Sequence, residues 1–328
     1  MELRIRQKQR SGRIPPYPFL QQPRVYNADN ELAEGRGQGV VTATCPASCG
    51  ELLQGYIEGG EKLISLPIDL YTRVTLTEAT SPIRESRLCK SYAAVEATLE
   101  HLGYRAGDAD GLTLTVESQV PRGKGMASST ADIAASAVAA AAYAGRSLSE
   151  MELAAICASI EPTDSTIFRR VTLFDHVKGR AARSYGEFPG CNVMVLEGRG
   201  CIDTLEFHKL KSRELIAQGE REMKKALLLF EEGMASGDLG KIGQSATISA
   251  IEREKVLKKP GLEWIIETAL KLGAYGVNAA HSGSVLGILC GSGFDSEKFE
   301  ALFWNQRFSD DYCCIRSHRV AQGGAFII

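Results

Sequence analysis

Apolar and polar positions alternate, with many β-branched residues, over residues 39–46, 62–69, 70–79 and 111–118, so each of these segments predicts a strand. Between them, residues 89–103 carry a helical pattern. Residues 128–144 (SSTADIAASAVAAAAYA) have the alanine content of a helix with no breaker. In 148–161 the apolar Leu148, Met151, Leu153, Ile156 and Ile160 recur at near-helical spacing, and a β-rich stretch, 166–187, follows. A second half opens at strand 191–197 and runs through helical patterns at 211–236, 238–257 and 262–272 to Gly273, which reads as a C-terminal cap. Strand-like segments at 276–280 and 285–290 flank a turn at His281–Ser284, and 312–317 and 325–328 close the chain. No internal repeat interrupts this order, which predicts layered α+β architecture. Gly186 to Gly190 is the expected boundary, giving an extension over 1–38, an N-terminal domain over 39–188 and a C-terminal domain over 189–328.

Length and composition narrow the classes. A chain of 328 residues suffices for two domains, and 44% hydrophobic with 24% charged residues is ordinary for a globular protein. The formal net charge of -2 supplies no basic field, so nucleic acid is excluded as the main partner. No apolar run approaches the roughly 20 residues a bilayer crossing needs, so no membrane association is expected. Nine cysteines without a CxxC pair imply reduced thiols and a cytoplasmic location. Cys45 and Cys49 lack the partners that would complete four zinc ligands. Cys313 and Cys314, read as neighbours on a strand, point to opposite faces and pack as small apolar side chains. Arg4, Arg6, Lys8, Arg10 and Arg13 precede Pro15, Pro16 and Pro18, without the apolar core of a secretory signal. This extension reads either as a loose tail or as an arm packing on a domain or on the second subunit of a homodimer.

The richest chemistry lies where strand 111–118 meets the alanine helix, in Pro121-Arg122-Gly123-Lys124-Gly125-Met126-Ala127-Ser128-Ser129-Thr130. Gly123 and Gly125 permit positive φ and close ligand approach, while Ser128, Ser129 and Thr130 are capping types. Free N–H groups of a helix's first turn, with the aligned peptide dipoles, attract phosphate. Lys124 adds a mobile charge, and the hydroxyls are able to hold Mg²⁺ against phosphate oxygens. The plainer reading is a capped strand-to-helix turn. The string fits neither the ordinary P-loop, since no Lys directly precedes the hydroxyl residues, nor the dinucleotide fingerprint, since Ser128 stands at the third glycine.

What the loop resembles is the second motif of the GHMP kinases (galactokinase, homoserine kinase, mevalonate kinase, phosphomevalonate kinase), Pro-x-x-x-Gly-Leu-Gly-Ser-Ser-Ala. Pro121, Gly125, Ser128 and Ser129 match in place; Met126 replaces Leu, Thr130 precedes the expected Ala131, and Ala127 replaces the middle Gly. A Cβ at that position leads us to expect negative φ or an altered phosphate path. Two further family signatures have counterparts in order. Cys45–Gly55 (CPASCGELLQG) keeps Pro46 and Ala47, with Ser48 in place of the family's basic residue, ahead of a substrate-facing turn. His281–Gly287 (HSGSVLG) stands where the family has a glycine-rich turn closing over the site, and is equally readable as a plain hairpin. Together with IEPTDST and the FDH beyond it, these spellings are similar to the branch that phosphorylates the side-chain hydroxyl of L-threonine in cobalamin synthesis and propanediol utilisation.

The resemblance implies a two-domain GHMP kinase fold, with a ribosomal protein S5 domain 2-like N-terminal domain and a ferredoxin-like C-terminal domain, and ATP and Mg²⁺ as cofactors. It assigns residues 121–130 to ATP, Ser129 and Glu161 to the metal, and Asp164 with Lys124 to catalysis. The turn Glu161-Pro162-Thr163-Asp164 is expected to set its two carboxylates side by side. Asp164 is then either a base or a local cap, and Glu161 either a metal ligand or a solvated helix end. A small amino-acid substrate needs an acceptor for its ammonium and donors for its carboxylate. Glu51 is the candidate for the ammonium, with Ser48, Gln54, His281 and Ser282 shaping the pocket. Homoserine kinase, another GHMP small-molecule kinase, and a non-catalytic ATP-binding sensor remain the alternatives.

Overall fold

A computed structural model describes residues 39–105, 107–200 and 216–328. The basic extension and the first residues of the helix expected from 211 lie outside the described residues. Two long strands form the spine, β1 (Val40–Ile57) and β2 (Gly60–Glu78). They meet in a two-residue hairpin turn whose Glu58 and Gly59 both have positive φ, at 46° and 79°, the geometry that suits the right-handed strand twist. Helix α1 (Cys89–His101) and β3 (Leu112–Ser118) follow, then α2 (Ser128–Tyr143) and α3 (Glu150–Ile160). The β-rich stretch resolves into β4 (Thr172–Asp175) and β5 (Arg180–Ser184). Next come β6 (Asn192–Gly198), α4 (Glu220–Ser236), α5 (Leu239–Glu254), α6 (Leu262–Lys271), β7 (Gly276–Ala279) and β8 (Leu286–Cys290). The chain ends with α7 (Ser296–Phe303), β9 (Tyr312–Arg319) and β10 (Phe326–Ile327). Among the described residues no helix is long and apolar enough to cross a membrane.

The expected α+β layering is what the chain forms. One sheet carries the order β5-β4-β2-β1-β7-β8-β6-β9, with β3 on β2 and β10 on β1. The strand expected at 39–46 runs on through the CPASCGELLQG segment, because that segment is a bulged strand and not a turn. Register shifts between Pro46 and Ser48, Ser48 and Glu51, and Glu51 and Leu53 let β1 bend, so that Glu51 pairs across to Ala279 of β7. Gly50 takes φ 59°, and a Cβ there would meet Ala280 N at 2.6 Å. These bulges join the two halves of the sheet at the point where the site lies.

Alanine explains α2. Its buried face runs from Thr130 to Ala141, and the many alanines on it let the helix pack closely on β1 and β2. Helix α3 begins in a capping box, Ser149 with Glu152, and ends at Glu161 because Pro162 forces its predecessor to extended backbone (φ −160°, ψ 162°). Helix α7, absent from the expectations above, is capped by Asp295, whose side chain accepts from Lys298 N. Its Phe299 and Phe303 are fully buried beside Trp264 and Tyr312.

Candidate active site

The loop after β3 and the start of α2 form one wall of a cleft of about 600 Å³; Glu161–Asp164, Lys90, Glu51 and Gln54, Arg253 and Ser282 line the rest. Of the residues assigned to ATP, Arg122, Gly123 and the run from Gly125 to Thr130 face this cleft. Gly123 and Gly125 adopt positive φ, at 70° and 79°. Ala127 corrects the sequence reading: its φ is 56° and ψ 26°, the left-handed conformation that the family's glycine would adopt without strain. The expected negative φ is thus not found, and the Cβ is accommodated at an energetic cost. Ala127 is also the N-cap residue and offers no side-chain acceptor, so the first turn of α2 carries no side-chain cap.

Lys124 is a second correction. In place of a mobile charge, its ammonium is buried, 8% exposed, and donates to the carbonyls of Gly198 (2.7 Å), Arg199 (2.9 Å) and Gly200 (3.1 Å) at the end of β6. It staples the loop to the second half of the sheet and does not line the cleft. Among the described residues the cations that do line it are Arg122, Arg87, Lys90 and Arg253. Lys90 and Arg87 went unnoticed in the sequence; a basic residue at a helix start is too common a pattern to stand out.

The turn His281–Ser284 is more than a hairpin. Lys124 O accepts from Ser284 N (2.9 Å) and Val285 N (3.2 Å), so the turn is hydrogen-bonded to the loop's backbone. The approach demands glycine: a Cβ on Gly283 would lie 2.0 Å from Lys124 O, and one on Gly125 2.4 Å from Ala280 Cβ. Two buried cations brace the turn from below. Arg253 donates through Nε and Nη2 to His281 O at 3.1 and 2.8 Å, and Lys259 Nζ donates to Gly283 O. Burial pulls Arg253 down to about 10 and Lys259 down to about 8.

Two carboxyls do stand side by side, but they are Glu51 and Asp164, not Glu161 and Asp164. Glu161 turns away to pair with Lys90 at the rim. Asp164 is held by Thr130, whose hydroxyl donates to its Oδ2 (3.1 Å) and accepts from its backbone N–H (3.2 Å). Glu51 Oε2 accepts from His281 N at 2.9 Å and lies 3.1 Å from His281 Nδ1. The two carboxyls lie within hydrogen-bonding reach of each other. Burial raises Asp164 well above the carboxylate range, and the Glu51 charge raises it further. Burial also pushes Glu51 up to about 7, against the pull of the His281 N–H and the Arg253 and Lys259 charges. Like charges this close do not both ionise, so near neutral pH the pair holds one proton between them. Burial, aided by Arg253, drives His281 well below the usual histidine range, so the ring is neutral.

Three of the five residues proposed for the substrate reach the cleft: Glu51, Gln54 and Ser282. His281 lies beneath Glu51 as its support, 1% exposed, with Nε2 3.1 Å from Gln54 O. Ser48 does not reach the cleft at all. It lies in the stretch of β1 that is covered on both faces and is fully buried, and its backbone N–H donates to Met126 O at 3.1 Å and so ties β1 to the loop. At the loop's far end, Asp132 Oδ1 accepts from Thr72 Oγ1 (3.0 Å), Arg122 lies 3.5 Å from Oδ2, and burial raises the carboxyl.

A helix start with no side-chain cap, a buried carboxyl pair, and a glycine turn locked onto the loop line one cleft, an arrangement of the small-molecule phosphotransferase type. The chain belongs to the GHMP kinase family: residues 90–168 match the GHMP kinases N terminal domain and residues 224–308 match GHMP kinases C terminal. It is 42% identical to the L-threonine kinase of Salmonella typhimurium over 254 residues, 77% of this chain and 84% of that one. To the L-threonine kinase of Citrobacter freundii it is 40% identical over 250 residues, 76% of this chain and 86% of the relative. In fold it is similar to homoserine kinase from Cytophaga hutchinsonii, with a TM-score of 0.62 and 16% identity across 89% of this chain and 98% of that one.

Proposed function

We propose that this chain is a cytoplasmic ATP-dependent kinase that phosphorylates the side-chain hydroxyl of L-threonine, giving L-threonine O-3-phosphate and ADP for the aminopropanol linker of cobalamin. The observation that carries the reading is the 42% identity to an L-threonine kinase over most of both chains, joined to a cleft whose charges suit an amino acid. The N–H groups opening α2 take the ATP phosphates. The Glu51–Asp164 pair, with its single negative charge, suits an ammonium, and Arg253 suits a carboxylate. With both ends of the zwitterion held, the hydroxyl is positioned to attack, which is most of what phosphoryl transfer asks of a protein. The pair then takes the hydroxyl proton as the new O–P bond forms and ADP leaves.

Hard oxygen donors fit Mg²⁺ here: the Ser129 hydroxyl and the Glu161 carboxylate, which would exchange its Lys90 partner for the ion, line one cleft, and Mg²⁺ in phosphate sites characteristically uses only one or two protein oxygens. When bound, the ion would neutralise charge on the transferring group. Free thiols at the described cysteines support the cytoplasmic assignment.

The test is ADP release with L-threonine, L-serine, L-homoserine, mevalonate and galactose as acceptors. L-Threonine is expected to give the highest kcat/KM. A clear preference for L-homoserine would overturn the substrate, and ATP binding without turnover of any acceptor would make the chain a sensor.

A further inference from the structure

The strand pair β6 and β9 carries a cluster unrelated to the cleft chemistry. Cys313 and Cys314, expected on opposite faces, instead bring their sulfurs within 3.9 Å, and Cys313 is exposed rather than packed as an apolar side chain. A bulge is the reason. Glu197 pairs with Cys314 and Gly198 with Tyr312, so Cys313 is the extra residue, and the break in alternation turns its thiol to the side of its neighbour. Cys314 Sγ also lies 3.3 Å from Glu197 Oε2, and the three ligand atoms all fall within 4.8 Å of one another.

We propose that Glu197, Cys313 and Cys314 form a binding site for a thiophilic divalent ion of the zinc type. A tetrahedral zinc with Zn–S of about 2.3 Å and Zn–O of about 2.1 Å has sulfur–sulfur edges of about 3.8 Å and sulfur–oxygen edges of about 3.6 Å. Two of the three spacings, 3.9 and 3.3 Å, lie within about 0.3 Å of these edges, and the third is within 4.8 Å, a gap that side-chain rotation can close. Charge balances as well. Two thiolates and a carboxylate around a divalent ion leave one negative charge, which the Arg316 guanidinium, 3.1 Å from Glu197 Oε2, offsets while fixing the carboxylate's orientation. Binding releases the two thiol protons to solvent, and the fourth position is left for water. Because β9 edges the sheet and Cys313 is exposed, an ion has a path in. The next residue, Gly198, accepts from Lys124 Nζ and, at 3.1 Å, from Ser284 Oγ, so an ion here braces the strand end to which Lys124 ties the loop after β3.

The experiment uses the reduced full-length protein, stripped with a chelator, then titrated with Cd²⁺ while the ultraviolet sulfur-to-cadmium charge-transfer band is followed. Zn²⁺ affinity is read by competition with a chromophoric chelator. One equivalent of Cd²⁺ should saturate the band, C313S/C314S should abolish it, and E197Q should weaken Zn²⁺ at least about tenfold. C89S, which removes another exposed thiol, should change nothing. Either single serine variant serves in place of the double if that one does not fold, each expected to lose the saturable band. The assignment is overturned if the wild type shows no band at one equivalent, if the band survives in the cysteine variants, if E197Q binds as the wild type does, or if C89S removes the signal.

Discussion

Replacing Glu51 with Gln should make the ligand-free protein more stable in mild alkali while damaging its chemistry. In the fold, burial lifts the Glu51 carboxyl to about 7 from an ordinary 4.5. A carboxyl raised in this way binds its proton more tightly folded than unfolded. Its contribution is therefore fully present below the unfolded value and is lost as pH rises through the folded one. At about 1.4 kcal/mol per tenfold change in proton affinity, the cost of ionising it comes to roughly 3 kcal/mol at about pH 8, but only about 1 kcal/mol at about pH 5. Because Asp164 shares the proton, 3 kcal/mol is a ceiling for the single substitution. The introduced amide keeps an acceptor for the His281 N–H and gains a donor toward Asp164. Thermal melts without ligand, at both pH values, should show E51Q above the wild type by roughly 5–10 °C at about pH 8, with a much smaller gap at about pH 5. An equal gap at both pH values, or a variant melting below the wild type at pH 8, would refute the buried-pair account. The same variant should raise KM for L-threonine; an unchanged KM would remove Glu51 from the ammonium site.

Gly283→Ala places a Cβ 2.0 Å from Lys124 O, so the ATP loop must shift; kcat/KM for ATP should fall about a hundredfold with little change in circular dichroism, and near-normal kinetics would show the turn free to move. Lys124→Met empties a cage of three carbonyls and should cost about 2–3 kcal/mol in urea unfolding, with activity per folded molecule largely kept. Collapse of kcat at unchanged stability would instead make Lys124 catalytic. Ala127→Gly relieves a residue held at φ 56° and should add about 1 kcal/mol of stability, measured by the same unfolding, whereas a loss would mean that the Cβ packs better than the strain costs. Ser129→Ala should raise the Mg²⁺ concentration needed for half-maximal rate, and full activity at the wild-type requirement would remove that ligand.

Much of this molecule is written in short-range chemistry. The alanine run over 128–144, the capping types ahead of Glu152, Pro162 after Glu161 and the glycines of the ATP loop each act within a turn or two of their own position. Such features are legible in one dimension because helix propensity, capping and positive φ are local properties. The GHMP spelling added the order of the three signatures. What no local rule supplied was the partner of each side chain. Glu51 and Asp164 lie far apart in the chain, and only the bulges of β1 carry the first carboxyl to the second. Lys124 has the look of a catalytic cation in sequence, yet β6 returns three carbonyls to it from the other half of the sheet. Ser48 is lost to the core because β1 is covered on both faces there, and Cys313 is gained for the surface by one extra residue in a strand, which changes the side a residue faces without altering its identity. Sequence thus determined most of the elements and marked one glycine-bearing loop before an alanine helix, since those depend on neighbours in the chain. Tertiary structure decided which groups share a proton, which charges are spent on scaffolding and which thiols meet, because burial and long-range pairing set these and the linear order does not encode them.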